Sequence, residues 1–124
     1  MSFHGGLTRK QFLTMGYSKL AELRGIQPTC RNVLELMKEY GAPIWTTNRS
    51  TDKGRKYGEY QNLRSTFAQL ETMHRVVEGK IVGYYAVKHG RPSNGFYLTQ
   101  KGRELLETYI SDLDLKNLPR FKPH

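Results

Sequence analysis

Apolar residues return at helical spacing in four places along the chain. In Thr8 to Arg24, Phe12, Leu13, Met15, Leu20 and Leu23 supply an apolar side and Gly25 ends the run, although Gly16 lowers helix propensity midway. The second helix is entered at Pro28-Thr29, carries Val33, Leu34, Leu36, Met37 and Tyr40 on one stripe, and stops at Gly41 ahead of Pro43. From Glu59 the period resumes: Tyr60, Leu63, Phe67 and Leu70 share one face, and Gln61, Asn62, Arg64, Ser65, Ala68, Gln69 and Thr72 share the other. A last stripe, Leu105, Leu106, Tyr109, Ile110 and Leu113, follows Thr99, a residue type that caps helices.

The intervening segments read differently. Ala42 to Asn48, with Ile44, Trp45 and paired threonines, has the composition of a short strand, and the polar, glycine-punctuated Arg49 to Gly58 reads as a loop or short irregular helix. After Val76-Val77 a turn is expected at Glu78-Gly79-Lys80. The strand Ile81 to Val87, the turn Lys88 to Asn94 and the strand Gly95 to Leu98 then form a hairpin with a long basic tip. Asp114 to His124 holds two prolines and reads as a loose tail. The pattern predicts one mainly helical α+β domain over residues 1–113, with an N-terminal helix at 8–24, a core at 29–98 and a C-terminal helix at 99–113.

Composition changes this picture through charge. A chain of 124 residues suits one domain, and 37% hydrophobic with 25% charged residues is the balance of a folded protein. Twenty Lys+Arg against eleven Asp+Glu leave a formal net charge of +9, which suits a polyanion such as nucleic acid or an acidic membrane surface. The excess is local. Arg49 to Lys56 holds four basic residues and one acid, and Lys80 to Arg103 holds five basic residues and no acid. Glu35, Glu39, Glu104, Glu107, Asp112 and Asp114 fall on segments that read as scaffold, so a basic face is expected. The start, MSFHGGLTRKQF, lacks the apolar run of a signal peptide, and Ile81 to Val87 is too short to span a bilayer, which predicts a cytoplasmic protein with no membrane partner. With Cys30 alone, no internal disulfide can form.

Two segments carry a resemblance. Leu63 to Val77, LRSTFAQLETMHRVV, resembles the recognition helix of a winged helix-turn-helix domain running into its first wing strand. Gly95 to Leu106, GFYLTQKGRELL, resembles the second wing strand and following helix of MarR-like and PadR-like regulators, where a Tyr-x-Leu-Thr-x-x-Gly pattern is common. The match covers roughly Thr29 to Leu113, with departures at Arg49 to Gly58, which replaces the ordinary helix before the recognition helix, and at His74, where many relatives have glycine. The resemblance implies a winged helix-turn-helix with a two-stranded β-hairpin wing and flanking N- and C-terminal helices, binding double-stranded DNA as a transcriptional regulator. Because the first and last helices both carry apolar stripes, more than a small core covers, a homodimer through them is expected.

On that reading Gln61, Asn62, Arg64, Ser65 and Gln69 read base edges, since Arg pairs bidentately with guanine and Gln or Asn with adenine. Lys88, His89 and Arg91 at the wing tip meet phosphates, while Tyr84, Tyr85, Phe96 and Tyr97 anchor the hairpin to the core or shield it. Arg49, Lys53, Arg55 and Lys56 form either a second phosphate clamp or a solvated charge run. An origin-binding or replication-initiation module of a mobile element, and a protein-interaction module on the same scaffold, remain alternatives. No cofactor, metal site or effector pocket is legible. His4, His74, His89 and His124 are scattered, and no phosphate-binding glycine loop occurs. The nearest catalytic pattern, Asp52 with Glu78-Gly79-Lys80, is a common chance arrangement, so an enzyme is not expected. Cys30, beside Arg31 in a helix's first turn, reads as an inert thiol or a redox sensor, and Trp45 as a core residue or a base-stacking one.

Overall fold

Threonines open the helices and glycines close two of them. The computed structural model describes residues 6–46, 51–84 and 92–109; in order these form α1 (Arg9–Leu23), α2 (Cys30–Glu39), α3 (Asp52–Thr72), β1 (Val77–Tyr84), β2 (Pro92–Leu98) and α4 (Gln100–Tyr109). Thr8, Thr29, Thr51 and Thr99 each accept a backbone N–H of the first turn that follows, from Gln11, Asn32, Gly54 and Gly102. At Thr8 the cap is reciprocal, because the Gln11 side chain accepts from the Thr8 N–H at 2.9 Å. Gly25 and Gly41 both take φ near 70°, and the residues after them, Ile26 and Ala42, donate back to Ala21 and Met37. This double closure satisfies carbonyls that a helix end would otherwise leave unpaired.

Helix α1 is the centre of the molecule. It packs against α2, α3, β2 and α4, and its residues 11–18 are all buried together with Leu20 and Ala21. The apolar stripe expected of it was therefore only part of its buried surface, and Leu23, assigned to that stripe, is 45% exposed. Three of its buried polar side chains are bonded to other elements or to its own backbone: Gln11 Nε2 donates to Gln69 Oε1 of α3 at 3.0 Å, Ser18 Oγ donates to the Phe96 carbonyl of β2, and Thr14 Oγ1 donates to the Lys10 carbonyl at 2.8 Å. Around it Val33, Leu36 and Met37 of α2, Leu63, Phe67 and Leu70 of α3, Val77 and Leu98 of the strands and Leu106 of α4 complete the core.

β1 and β2 pair antiparallel from Val77↔Leu98 to Tyr84↔Pro92, with an irregularity between Ile81 and Gly83. The chain just before α2 adds to the free edge of β2: Thr29 bridges Gly95, and Phe96 N–H donates to the Pro28 carbonyl at 2.9 Å. The Phe96 ring stacks on Phe67 at 4.5 Å, and the Glu71 carboxylate accepts from Gly79 N–H at 2.6 Å, so the hairpin is fixed to α3 from both strands.

Four expectations change. Residues 42–46 form no strand; Ile44 and Trp45 instead pack as partly buried side chains against the core. Helix α3 starts at Asp52 rather than Glu59, because Thr51 caps it and Lys38 Nζ of α2 pairs with Glu59 at 3.0 Å. The turn expected at Glu78-Gly79-Lys80 is continuous strand, where Gly79 leaves room for the Phe96 ring and the Glu71 carboxylate. β2 begins at Pro92, inside the expected turn. The tail from 114, the end of the last stripe at Ile110 and Leu113, and Tyr85 lie outside the described residues.

Candidate functional site

The outer surface of α3 is where polar and basic side chains collect. At 21 residues the helix is about 31 Å long, and Tyr57, Gln61, Arg64 and Ala68 recur at i, i+4, i+7 and i+11 on its outward side. Arg64, Ser65, Ala68 and Thr72 are exposed, as are Lys53 and Lys56 in the first two turns. Tyr57 is 64% exposed, and its hydroxyl accepts from Gln61 Nε2 at 2.8 Å.

Beside this surface an open cleft of about 560 Å³ lies between the N-terminus of α2, the flank of α3 and β2. Arg31, Arg64, Tyr60, Asn94 and Phe96 are among its walls. Neither Arg31 nor Arg64 has a carboxylate partner among the described residues, whereas Lys38, Lys80, Arg24 and Arg103 all do. Arg31 also stands in the first turn of α2, where the helix dipole disfavours a cation. Two unpaired guanidiniums and a helix N-terminus give the cleft a positive potential suited to an anion.

Cys30 lines the same cleft. Burial pushes its thiol up to about 12, while nearby Arg64 acts in the opposite direction. Its Sγ faces the Tyr60 carbonyl at 3.6 Å. The thiol is buried and stays protonated at neutral pH, conditions that make it a poor redox sensor.

The residues expected to read bases separate into two groups. Gln61, Arg64 and Ser65 lie on or beside the outward stripe. Gln69 does not: its amide oxygen is bonded to Gln11 on α1, on the inner flank of the helix. Asn62 lies on that same flank, near Lys10 and Thr14 of α1. Both were grouped with the readers because a polar flank and a polar outer face look alike in sequence. Lys53 and Lys56 are exposed, and Arg55 is placed in α3 by its backbone. Arg49, Lys88, His89 and Arg91 lie outside the described residues. Arg31, Tyr57 and Asn94 were missed. Tyr57 was signalled only by its spacing from Gln61, and the other two become neighbours of Arg64 through tertiary packing.

Glu78 and Lys80 pair with each other at 3.9 Å on the exposed side of β1, and Lys80 also lies over the Tyr97 ring. Among the described residues no group of three His, Cys, Asp or Glu side chains is gathered as a metal site would require. No helix among them is long and apolar enough to cross a membrane. Comparison with protein-family models, curated proteins and solved structures finds no match for the chain.

Proposed function

We propose that this chain is a winged helix-turn-helix protein that binds double-stranded DNA with sequence preference and acts as a transcriptional regulator. The observation that carries the reading is the juxtaposition of an exposed helix face bearing Tyr57, Gln61, Arg64 and Ser65 with a cleft holding two unpaired arginines. An α-helix about 10–12 Å across fits a major groove about 12 Å wide. With α3 in the groove, the cleft follows its flank, where a phosphate strand runs. Arg31 and the α2 N-terminus then meet that strand, and Arg64 and Gln61 meet base edges. β2 forms part of the wall of the same cleft, and the basic residues Lys88, His89 and Arg91, which lie outside the described residues, are proposed as further phosphate contacts from the sequence alone.

Selection of bound sites from random duplex DNA tests the reading. An enriched motif is expected, and Arg64→Ala should relax one base position and weaken the selected site by about 1–3 kcal/mol. Failure of the wild type to enrich any motif would overturn the proposal. For a dimer the motif is expected to be two-fold symmetric. Since α1 is enclosed within the protomer, such a dimer would use α4.

A further inference from the structure

We infer that the cleft beside α3 is a binding site for a single nucleotide, with Phe96 as the platform for its base and Arg31 and Arg64 as the cations for its phosphate. The observation that points to it is how Phe96 is held. Its ring lies nearly parallel to that of Phe67, with 4.5 Å between centroids and 10° between planes, and Phe67 is fully buried. One edge of the Phe96 ring rests over Gly79, where a built Cβ would come within 3.3 Å of it. What this half-buried ring adds to the cleft wall is therefore its remaining face and edge. A stack of two rings that ends at an open cleft is a seat for a third planar ring.

The rest of the wall fits the other part of a nucleotide. At about 560 Å³ the cleft has the size of a small-molecule site. Arg31 and Arg64 are both exposed, line it, and have no carboxylate partner among the described residues. Guanidinium groups bind phosphate oxygens through paired hydrogen bonds. Asn94, exposed in the same wall, carries both donors and an acceptor for a base edge. An inorganic anion would leave the Phe96 face unused, and an apolar ring would leave two cations without a counter-charge. A ligand that joins a planar ring to a phosphate suits the cleft better than either. A free nucleotide and an unpaired nucleotide of a strand both have this chemistry. Because the duplex reading draws on the same two guanidiniums, nucleotide and duplex should exclude each other, a consequence that rests on that reading.

Calorimetric titration of the intact chain with adenosine monophosphate, adenosine and inorganic phosphate tests the site without duplex DNA. The nucleotide should bind about tenfold or more tightly than either part. Phe96→Leu keeps apolar volume against Phe67 but has no planar face; it should weaken the nucleotide about tenfold and leave inorganic phosphate unchanged. Arg31→Gln, at an exposed position, should weaken the nucleotide about tenfold and leave adenosine unchanged. The inference is overturned by an absence of saturable nucleotide binding, by phosphate binding as tight as nucleotide binding, or by wild-type affinity in a folded Phe96→Leu variant. Should Phe96→Leu unfold, Arg31→Gln and the three ligands decide the matter. A single-stranded oligoadenylate separates the two sources: tighter binding than the mononucleotide, weakened in proportion by Phe96→Leu, assigns the site to a strand, and no gain assigns it to the free nucleotide. Saturating nucleotide should also release the selected duplex, and an unaffected duplex would overturn the exclusion. A wild type that binds nucleotide but enriches no duplex motif would overturn the DNA reading and leave this site standing.

Discussion

Tyr17 is the side chain most at odds with its surroundings. It is fully buried, its ring meets Tyr40 edge-on at 6.0 Å, and its hydroxyl has no hydrogen-bond partner among the described residues. Burial, and then Tyr40, push its ionisation far above the ordinary tyrosine range. An unpaired buried hydroxyl costs about 1–3 kcal/mol of desolvation, so Tyr17→Phe should raise stability by about 1 kcal/mol. Urea unfolding measures this, and a lowered midpoint would show that the hydroxyl is bonded after all. At this scale the sequence was readable where a residue type has one dominant use. Val33, Phe67, Leu70 and Leu106 are core as their spacing implied. It was not readable where one type has two uses: Gln61 faces the outer stripe and Gln69 faces α1, a distinction made by Gln11 across 58 residues of chain.

Among the elements, α4 shows how a short motif works mechanically. Thr99 accepts from Gly102 N–H, donates its hydroxyl to the Arg75 carbonyl at 2.8 Å and gives its own N–H to the Val76 carbonyl at 3.0 Å. A Cβ built at Gly102 would lie 2.0 Å from that same Val76 oxygen, which is backbone and has no rotamer to change. Glycine-to-alanine in a helix ordinarily gains about 1 kcal/mol. Here the collision should win, and Gly102→Ala should destabilise the protein by about 3 kcal/mol, read as a fall in the unfolding midpoint. An unaffected midpoint would mean that α4 does not rest on the entry to β1. The Thr-x-x-Gly pattern was visible in sequence because it is local. So were α2 and α4, each with a cap and one apolar stripe. The opening turns of α3 were hidden by Gly54 and Gly58, which lower helix propensity, and by the lack of an apolar stripe there, which the Thr51 cap and the Lys38–Glu59 pair offset. Left-handed backbone after α3 also falls at Arg75, φ 55°, one residue past the histidine singled out in the sequence.

For the whole molecule, a net charge of +9 means that association with a polyanion should be strongly salt-dependent. Arg31 gives this a local test, because it faces the cleft beside α3 rather than lying on the outer stripe. Arg31→Ala should weaken selected and random duplexes by similar factors, leave the motif unchanged and flatten the plot of log affinity against log salt by about 0.9. An unchanged slope would remove the α2 N-terminus from the interface. The enclosed position of α1 has a consequence for how the chain matures during synthesis. Its first helix is made early, yet its partners are Gln69, Phe96 and, through Glu22, Arg103, which lies 81 residues downstream. A growing chain therefore carries a helix that the finished fold buries almost throughout, with no completed seat until β2 and α4 have left the ribosome. Such dependence on distant partners slows folding and concentrates it into one late step. A nascent chain stopped before β2 would leave α1 without the strand carbonyl that Ser18 bonds and without the helix that follows.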